Sequence, residues 1–312
     1  VTPEDSLGRF VEDVLPKVRP RVVIVSGDLV NAKREPAGPF MGKASVQFVE
    51  EWEAYRGLVD RAQAVARARR ESERFRMQWL DVRGNHDCFG VRDFNSSGNL
   101  FARYAERRGA FSSEQRLDEV AVDTAQGVLR FIGIDECPQP GLHRPVNFFG
   151  RIERETFDTL RSRLETSDQY AATVLFGHYP ASLTSLPPRQ SLSKLHASIS
   201  AQSPPPFLAY LSGHLHTMMG LSPTGLRALP HSGAFLDLQA PDLWHGNFRV
   251  FALDGGVLAF GTARLGRWPI VVVTNPVDAT TPAPGSAGRA RRSARVRMLV
   301  FTGTEGVPRG EV

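Results

Sequence analysis

Arg83-Gly84-Asn85-His86-Asp87 follows directly on Trp79-Leu80-Asp81-Val82, an apolar run of strand character, and sets an amide oxygen, an imidazole and a carboxylate on three consecutive residues at a strand end. Three other stretches share that design, an apolar run broken at glycine and followed by ligand-type side chains: Ser26-Gly27-Asp28, Gly177-His178-Tyr179-Pro180 and Gly213-His214-Leu215-His216. Glycine ahead of a ligand lets the backbone turn sharply off the strand, and in open α/β sheets ligands collect at the carboxyl ends of strands. The four stretches are therefore read together as one metal site.

Each stretch taken singly has a plainer explanation. Asp28 after a buried strand is equally a turn or cap residue, and Asn85 and Asp87 are common turn formers. A lone His178 at a strand end is more often simply hydrogen-bonded than a ligand. His214 and His216 are stronger, because alternate residues of an extended segment project to one side. The candidate ligands Asp28, Asn85, His178, His214 and His216 include no thiolate. That donor set suits a divalent Mn, Fe or Zn ion in a reactive site rather than a structural zinc.

The chain has 312 residues, 41% of them hydrophobic and 23% charged, which suits a folded protein with one large core or two smaller ones. There are 38 Lys and Arg against 33 Asp and Glu, with clusters at Arg67-Ala68-Arg69-Arg70 and Arg291-Arg292. The basic run near residues 67–76 reads as the solvated face of a helix; without interleaved aromatic residues, no nucleic acid is expected as a partner. Cys88 and Cys137 are too few for a disulfide framework and lack zinc-knuckle spacing. No apolar run reaches the roughly 20 residues needed to cross a bilayer.

In chain order, Thr2-Pro3-Glu4-Asp5 starts an amphipathic helix expected to end near Pro16, and residues 21–25 form a β-branched strand buried on both faces. A helix is expected over 48–66, strands at 79–82, 128–134, 173–176 and 207–211, and another helix at 152–164. Residues 181–206 are rich in Ser and Pro and read as a functional loop or a disordered insert. Asp254-Gly255-Gly256 between two apolar runs marks a hairpin. A strand at 270–273 precedes a linker-like stretch over 279–294, and a further strand restarts at Arg295.

The ordered set Gly-Asp, Gly-Asn-His-Asp, Gly-His and Gly-His-x-His resembles the calcineurin-like metallophosphoesterase superfamily over residues 11–260. Narrower stretches, among them Glu51-Trp52-Glu53-Ala54-Tyr55, Asn147-Phe148-Phe149-Gly150 and Trp268-Pro269, are similar to the transmembrane protein 62 family. The resemblance implies an α/β fold, a metallophosphoesterase α/β/β/α sandwich of mixed sheets over residues 1–266. Residues 267–312 would then be a linker and the start of an immunoglobulin-like β domain. Two divalent metal ions are implied, Asp28 bridging them, Asn85, His178 and His214 completing the shell of the second, and His216 on the first. His86 would stand by the scissile phosphate of a phosphate ester substrate, with Asp87 orienting its ring, and Arg144 would reach a phosphate oxygen unless it is ordinary loop charge. Membrane association would come only from regions outside this chain. The superfamily's Asp-x-His motif occurs nowhere in the sequence. It belongs on the strand before the first helix, so the expectation is a sandwich missing its first strand in an N-terminally truncated chain. The alternative is a metal-binding or interaction module with impaired catalysis.

Overall fold

A computed structural model describes residues 3–34, 44–68, 77–143, 147–200, 207–216, 229–231, 235–278 and 295–304. The first helix, α1 (Pro3–Arg9), passes through a π-helical turn at Phe10–Val14 into a last α-turn at Leu15–Val18. It thus runs two residues past Pro16. The proline opens that final turn, where its missing N–H does not interrupt an established ladder. Val11, Val14 and Leu15 are its buried face.

Strand β1 (Val22–Val25) pairs in parallel with β2 (Gln78–Asp81), and between them lies α2 (Val49–Ala68). The steps of three and four in α2 bury Trp52, Tyr55, Leu58, Val59 and Ala62, as the periodicity predicts. Asp81 in β2 is fully buried, which an apolar reading of that run does not anticipate. It accepts hydrogen bonds from Tyr55 Oη at 2.8 Å and from the amides of Glu106 and Arg107.

A six-stranded mixed sheet holds the other half of the fold. Its members are β3 (Leu117–Thr124), β4 (Gly127–Ile134), β5 (Ala172–Phe176), β6 (Ala209–Ser212), β7 (Leu229–His231) and β8 (Phe235–Gln239), in the order β7-β8-β6-β5-β4-β3. The four central strands run parallel, with antiparallel partners at both edges. Alternate side chains enter two different cores. Val174, Phe176, Ala209, Leu211, Leu236 and Leu238 pack with β1, β2 and α2. Leu175, Tyr210, Phe235, Ile132 and Ile134 face the opposite way, against helices α3 (Arg154–Leu164) and α4 (Leu192–Ile199). The parallel strands are therefore largely apolar on both faces, with Arg130, Thr173, Ser212, Asp237 and Gln239 as buried polar exceptions.

Helix α4 corrects the expectation of a loop or disordered insert over 181–206. Ser191 caps it by accepting from the Lys194 amide, and Leu192, Leu195 and Ile199 at helical spacing give it a buried face. The triple proline that dominates the composition of that stretch, at 204–206, lies outside the described residues, as do the basic run 69–76, most of the loop 31–41, the linker 279–294 and Arg144.

The expected hairpin joins β9 (Asn247–Asp254) to β10 (Val257–Arg264) through Gly255 and Gly256, both at positive φ. Strand β11 (Ile270–Asn275) pairs antiparallel with β12 (Arg297–Phe301), the strand expected to restart at Arg295. Ile270 packs with Val14, Phe248 and Leu265, so this pair leans on α1 and the β9–β10 hairpin. Beyond it the described residues hold nothing more of an immunoglobulin-like domain. Cys88 and Cys137, 49 residues apart, are brought together by the loop after β2 and the end of β4 and form a disulfide.

Tyr55→Phe removes the hydroxyl that donates to Asp81 and accepts from Trp79 Nε1. The expected result is a loss of about 1–2 kcal/mol in denaturant unfolding with an unchanged m-value; an unshifted midpoint counts against this bond as a support of the β1–β2 layer.

Candidate metal centre

Four strand ends deliver the candidate residues to one place, and two glycines make the meeting possible. A Cβ on Gly27, whose φ is +88°, would stand 2.5 Å from His178 Nδ1; one on Gly84 would stand 2.3 Å from both the amide nitrogen and Oδ1 of Asp28. Asp28, His214 and His216 themselves sit at positive φ, a left-handed backbone that non-glycine residues adopt at a cost of order 1–3 kcal/mol.

Asp28, Asn85, His178 and His214 are brought into contact. His178, 1% exposed, is held at Nδ1 by the Ser26 carbonyl at 2.7 Å, so that nitrogen carries the proton and Nε2 offers its lone pair inward. Around Nε2 lie Asn85 Oδ1 at 2.9 Å, His214 Nδ1 at 3.2 Å and Asp28 Oδ1 at 3.4 Å, and Asn85 Oδ1 is 3.1 Å from His214 Nδ1. Electron-rich atoms face one another with at most a single N–H, from His214, to share. Burial would raise the Asp28 carboxyl, but His178, His86 and the His86 amide outweigh it and leave the group well below the usual carboxylate range. Burial and the adjacent His178 push His214 down to about 3, which keeps it neutral and able to act as a ligand.

His216 stands apart: exposed, it makes no hydrogen bond or ion pair through its ring among the described residues, and its main-chain carbonyl accepts from Gln239 Nε2. His86 is at the rim, its amide donating to Asp28 Oδ1 at 3.0 Å and its Nε2 3.9 Å from Asp28 Oδ2. Burial lowers its pKa against the pull of Asp28. The residue expected to orient the His86 ring, Asp87, does something else. Its carboxylate accepts from the amides of Gly84, Leu29 and Val30, stapling the loop after β1 to the loop after β2. The His86 ring is instead held by the Asn31 carbonyl at Nδ1, 2.7 Å away, and by stacking on Phe89. The short reach of an Asp side chain next to His86 in a tight turn favours backbone amides over the ring that precedes it.

Sequence reasoning missed Glu136 and Asp135. Glu136 is fully buried and accepts from the amides of His178 and Tyr179 at 2.8 and 2.9 Å, from Tyr210 Oη and from Thr184 Oγ1. Asp135 pairs with the buried guanidinium groups of Arg83 and Arg116 and so fixes the residue before Gly84. Both acids follow the end of a strand, as Asp28 does, but without the glycine immediately before them that singled out the four stretches.

Among the described residues no group of three or more His, Cys, Asp or Glu side chains forms a metal cage as placed. What is assembled is one face of donors, with Asn85 as a member. Ligands at about 2.1 Å from a metal in an octahedral shell are about 3.0 Å from their neighbours, and the triangle of His178 Nε2, Asn85 Oδ1 and His214 Nδ1 has edges of 2.9, 3.1 and 3.2 Å. The donor set and its spacing fit a divalent cation. The cluster stands at the head of a cleft of about 1380 Å³ that runs along β1 toward Phe248 and Val250 of β9.

Residues 3–218 match the family model described as calcineurin-like phosphoesterase. The chain is 30% identical to mouse (Mus musculus) Transmembrane protein 62 over 95% of its own length and 42% of that protein's. It is 31% identical to the Arabidopsis thaliana protein named Putative metallophosphoesterase At3g03305, over 77% of its own length and 30% of that protein's. The chain thus spans less than half of either relative. No helix among the described residues is long and apolar enough to cross a membrane.

Asp135→Asn leaves two buried guanidinium groups without their charge and is expected to destabilise the fold by about 3–5 kcal/mol. Burial would raise Asp135, but Arg116 and Arg83 hold it below its ordinary value. Its contribution is therefore present above the unfolded pKa of about 3.9 and is lost as pH falls through the lower native value. The stability gap between wild type and variant should begin to narrow as pH falls below about 4 and close below the lower native value; a gap that stays constant through the acid titration contradicts the assignment.

Proposed function

Because the chain belongs to the calcineurin-like phosphoesterase family, we propose that it is a metal-dependent hydrolase of phosphoric esters. The carrying observation is the convergence of Asp28, His178, Asn85 and His214, whose inward atoms are acceptors at the spacing of a ligand shell. These four would hold one divalent ion, and Asp28 with His216 would contribute to a second. When bound, such ions polarise the phosphoryl oxygens and lower the pKa of a coordinated water.

The chain's own residues do the rest. The Ser26 carbonyl keeps His178 in the tautomer whose Nε2 is free, as a partner on the far nitrogen does in metal sites generally. The Asn31 carbonyl takes the Nδ1 proton of His86 and turns Nε2 toward the cluster; the neutral ring only accepts at Nε2, so it is the imidazolium form that would protonate the departing ester oxygen or stabilise its charge. Asp87 holds the two loops in register and acts at one remove from the chemistry.

A second reading has its own observation. His216 is exposed and makes no hydrogen bond or ion pair with the cluster, and among the described residues only Asp28 and His216 would be left to hold a further metal. On that reading the protein binds one metal without turning over a phosphoester.

Metal content and hydrolysis separate the two. With Mn²⁺ supplied, two metal ions per chain and cleavage of an aryl phosphomonoester or phosphodiester are expected. Asp28→Asn should abolish turnover, and His178→Gln should cost at least one metal, read by elemental analysis. One ion per chain with no turnover of any ester favours the binding module; no bound metal defeats both.

A further inference from the structure

The described surface exposes three large aromatic side chains, Phe148 (45%), Phe149 (58%) and Trp244 (49%). Two of them are adjacent, and they begin at the metal centre. The Phe148 ring lies 5.0 Å from that of His214, whose other ring neighbours are Tyr179, at 4.6 Å, and His178, at 5.0 Å. Phe149 continues outward from Phe148, centroids 5.4 Å apart and planes at 83°.

The pair is presented from a fixed base. Gly150, next in the chain, lies so close to the Tyr179 ring that a Cβ there would be 2.4 Å from it. Gly150 and Arg151 pair with Thr184 and Ser185, and the Arg151 amide donates to the Glu136 carbonyl at 2.8 Å. Exposed phenylalanine forgoes roughly 1.5–3 kcal/mol of burial, so two side by side at the mouth of a site point to a ligand that covers them. Two rings at right angles make a corner in which a third flat ring stacks on one while meeting the edge of the other, the two arrangements aromatic pairs prefer. An alkyl chain gains no such directional contact.

We propose that Phe148 and Phe149 form a subsite for a flat aromatic leaving group of the phosphoester. The inference rests on the phosphoesterase reading above and adds the substrate class to it. Phe148 fixes the inner wall through its contact with His214, and Phe149 supplies the face that selects.

The test uses Mn²⁺-loaded protein and two non-hydrolysable probes, phenylphosphonate and methylphosphonate, titrated by calorimetry. Wild type should bind the phenyl probe about three- to tenfold more tightly, the range of one aromatic contact. Phe149→Ala should erase that preference while leaving methylphosphonate affinity unchanged, and Phe149→Trp should keep it. Hydrolysis should follow the same pattern, with kcat/KM for an aryl phosphodiester falling in Phe149→Ala and that for an alkyl phosphodiester holding. Equal affinity for the two probes in wild type, or a preference that survives Phe149→Ala, overturns the subsite and leaves the phosphoesterase reading standing. Binding of neither probe with no ester hydrolysed overturns both. Loss of vesicle binding in Phe149→Ala with probe selectivity intact would reassign the pair to a lipid surface and also overturns the subsite.

Discussion

Two strand ends touch in this protein at a distance that no side chain permits. Gly84 lies against the amide and carboxylate of Asp28, and Gly27 lies against Gly84 and the His178 ring. The parallel register of β1 and β2, Val25 beside Asp81, carries both glycines to the same level beyond the sheet. Every distance in the cluster follows from that approach. If either turn were displaced by the radius of a methyl group, Asp28 would leave the reach of His178, and the His86 amide would lose its acceptor.

Around this contact the fold gathers five carboxyl groups, four of them buried and Asp28 partly exposed, and treats them differently. Asp81 receives two amides and a phenol, Asp87 three amides, Glu136 two amides and two hydroxyls, and Asp135 two guanidinium groups. Each of those four has the compensation that a buried acid requires. Asp28 has one amide, from His86, and otherwise only the rings of His178, His86 and His214 around it, of which burial pushes His86 and His214 down. Of the five it is the acid left in need of a cation. Asp87 and Asp28 repel each other across the loop, and burial with that repulsion raises Asp87, which makes its three amide donors necessary to the turn.

Much of this was legible in the residues. The glycine-then-ligand design at four strand ends fixed which side chains meet, and periods of three and four located the buried face of α2. What escaped was set by contacts between distant segments. Asp81 is polar in an otherwise apolar strand because Tyr55 and the amides of Glu106 and Arg107 converge on it, and no local pattern records that. Glu136 also follows a strand end, but with no glycine directly before it, and it faces inward onto the His178 loop. Helix α4 was obscured by the prolines around it, although Ser191 and its leucine spacing announced it. The partner of the His86 ring is a main-chain carbonyl, at Asn31, and a backbone atom leaves no trace in residue type.

The strand that launches Asp28 has a second character. Val22-Val23-Ile24-Val25 is wholly β-branched, is hydrogen-bonded among the described residues on the β2 side alone, and borders the open cleft. An extended, uncharged edge of this kind is a template for another strand.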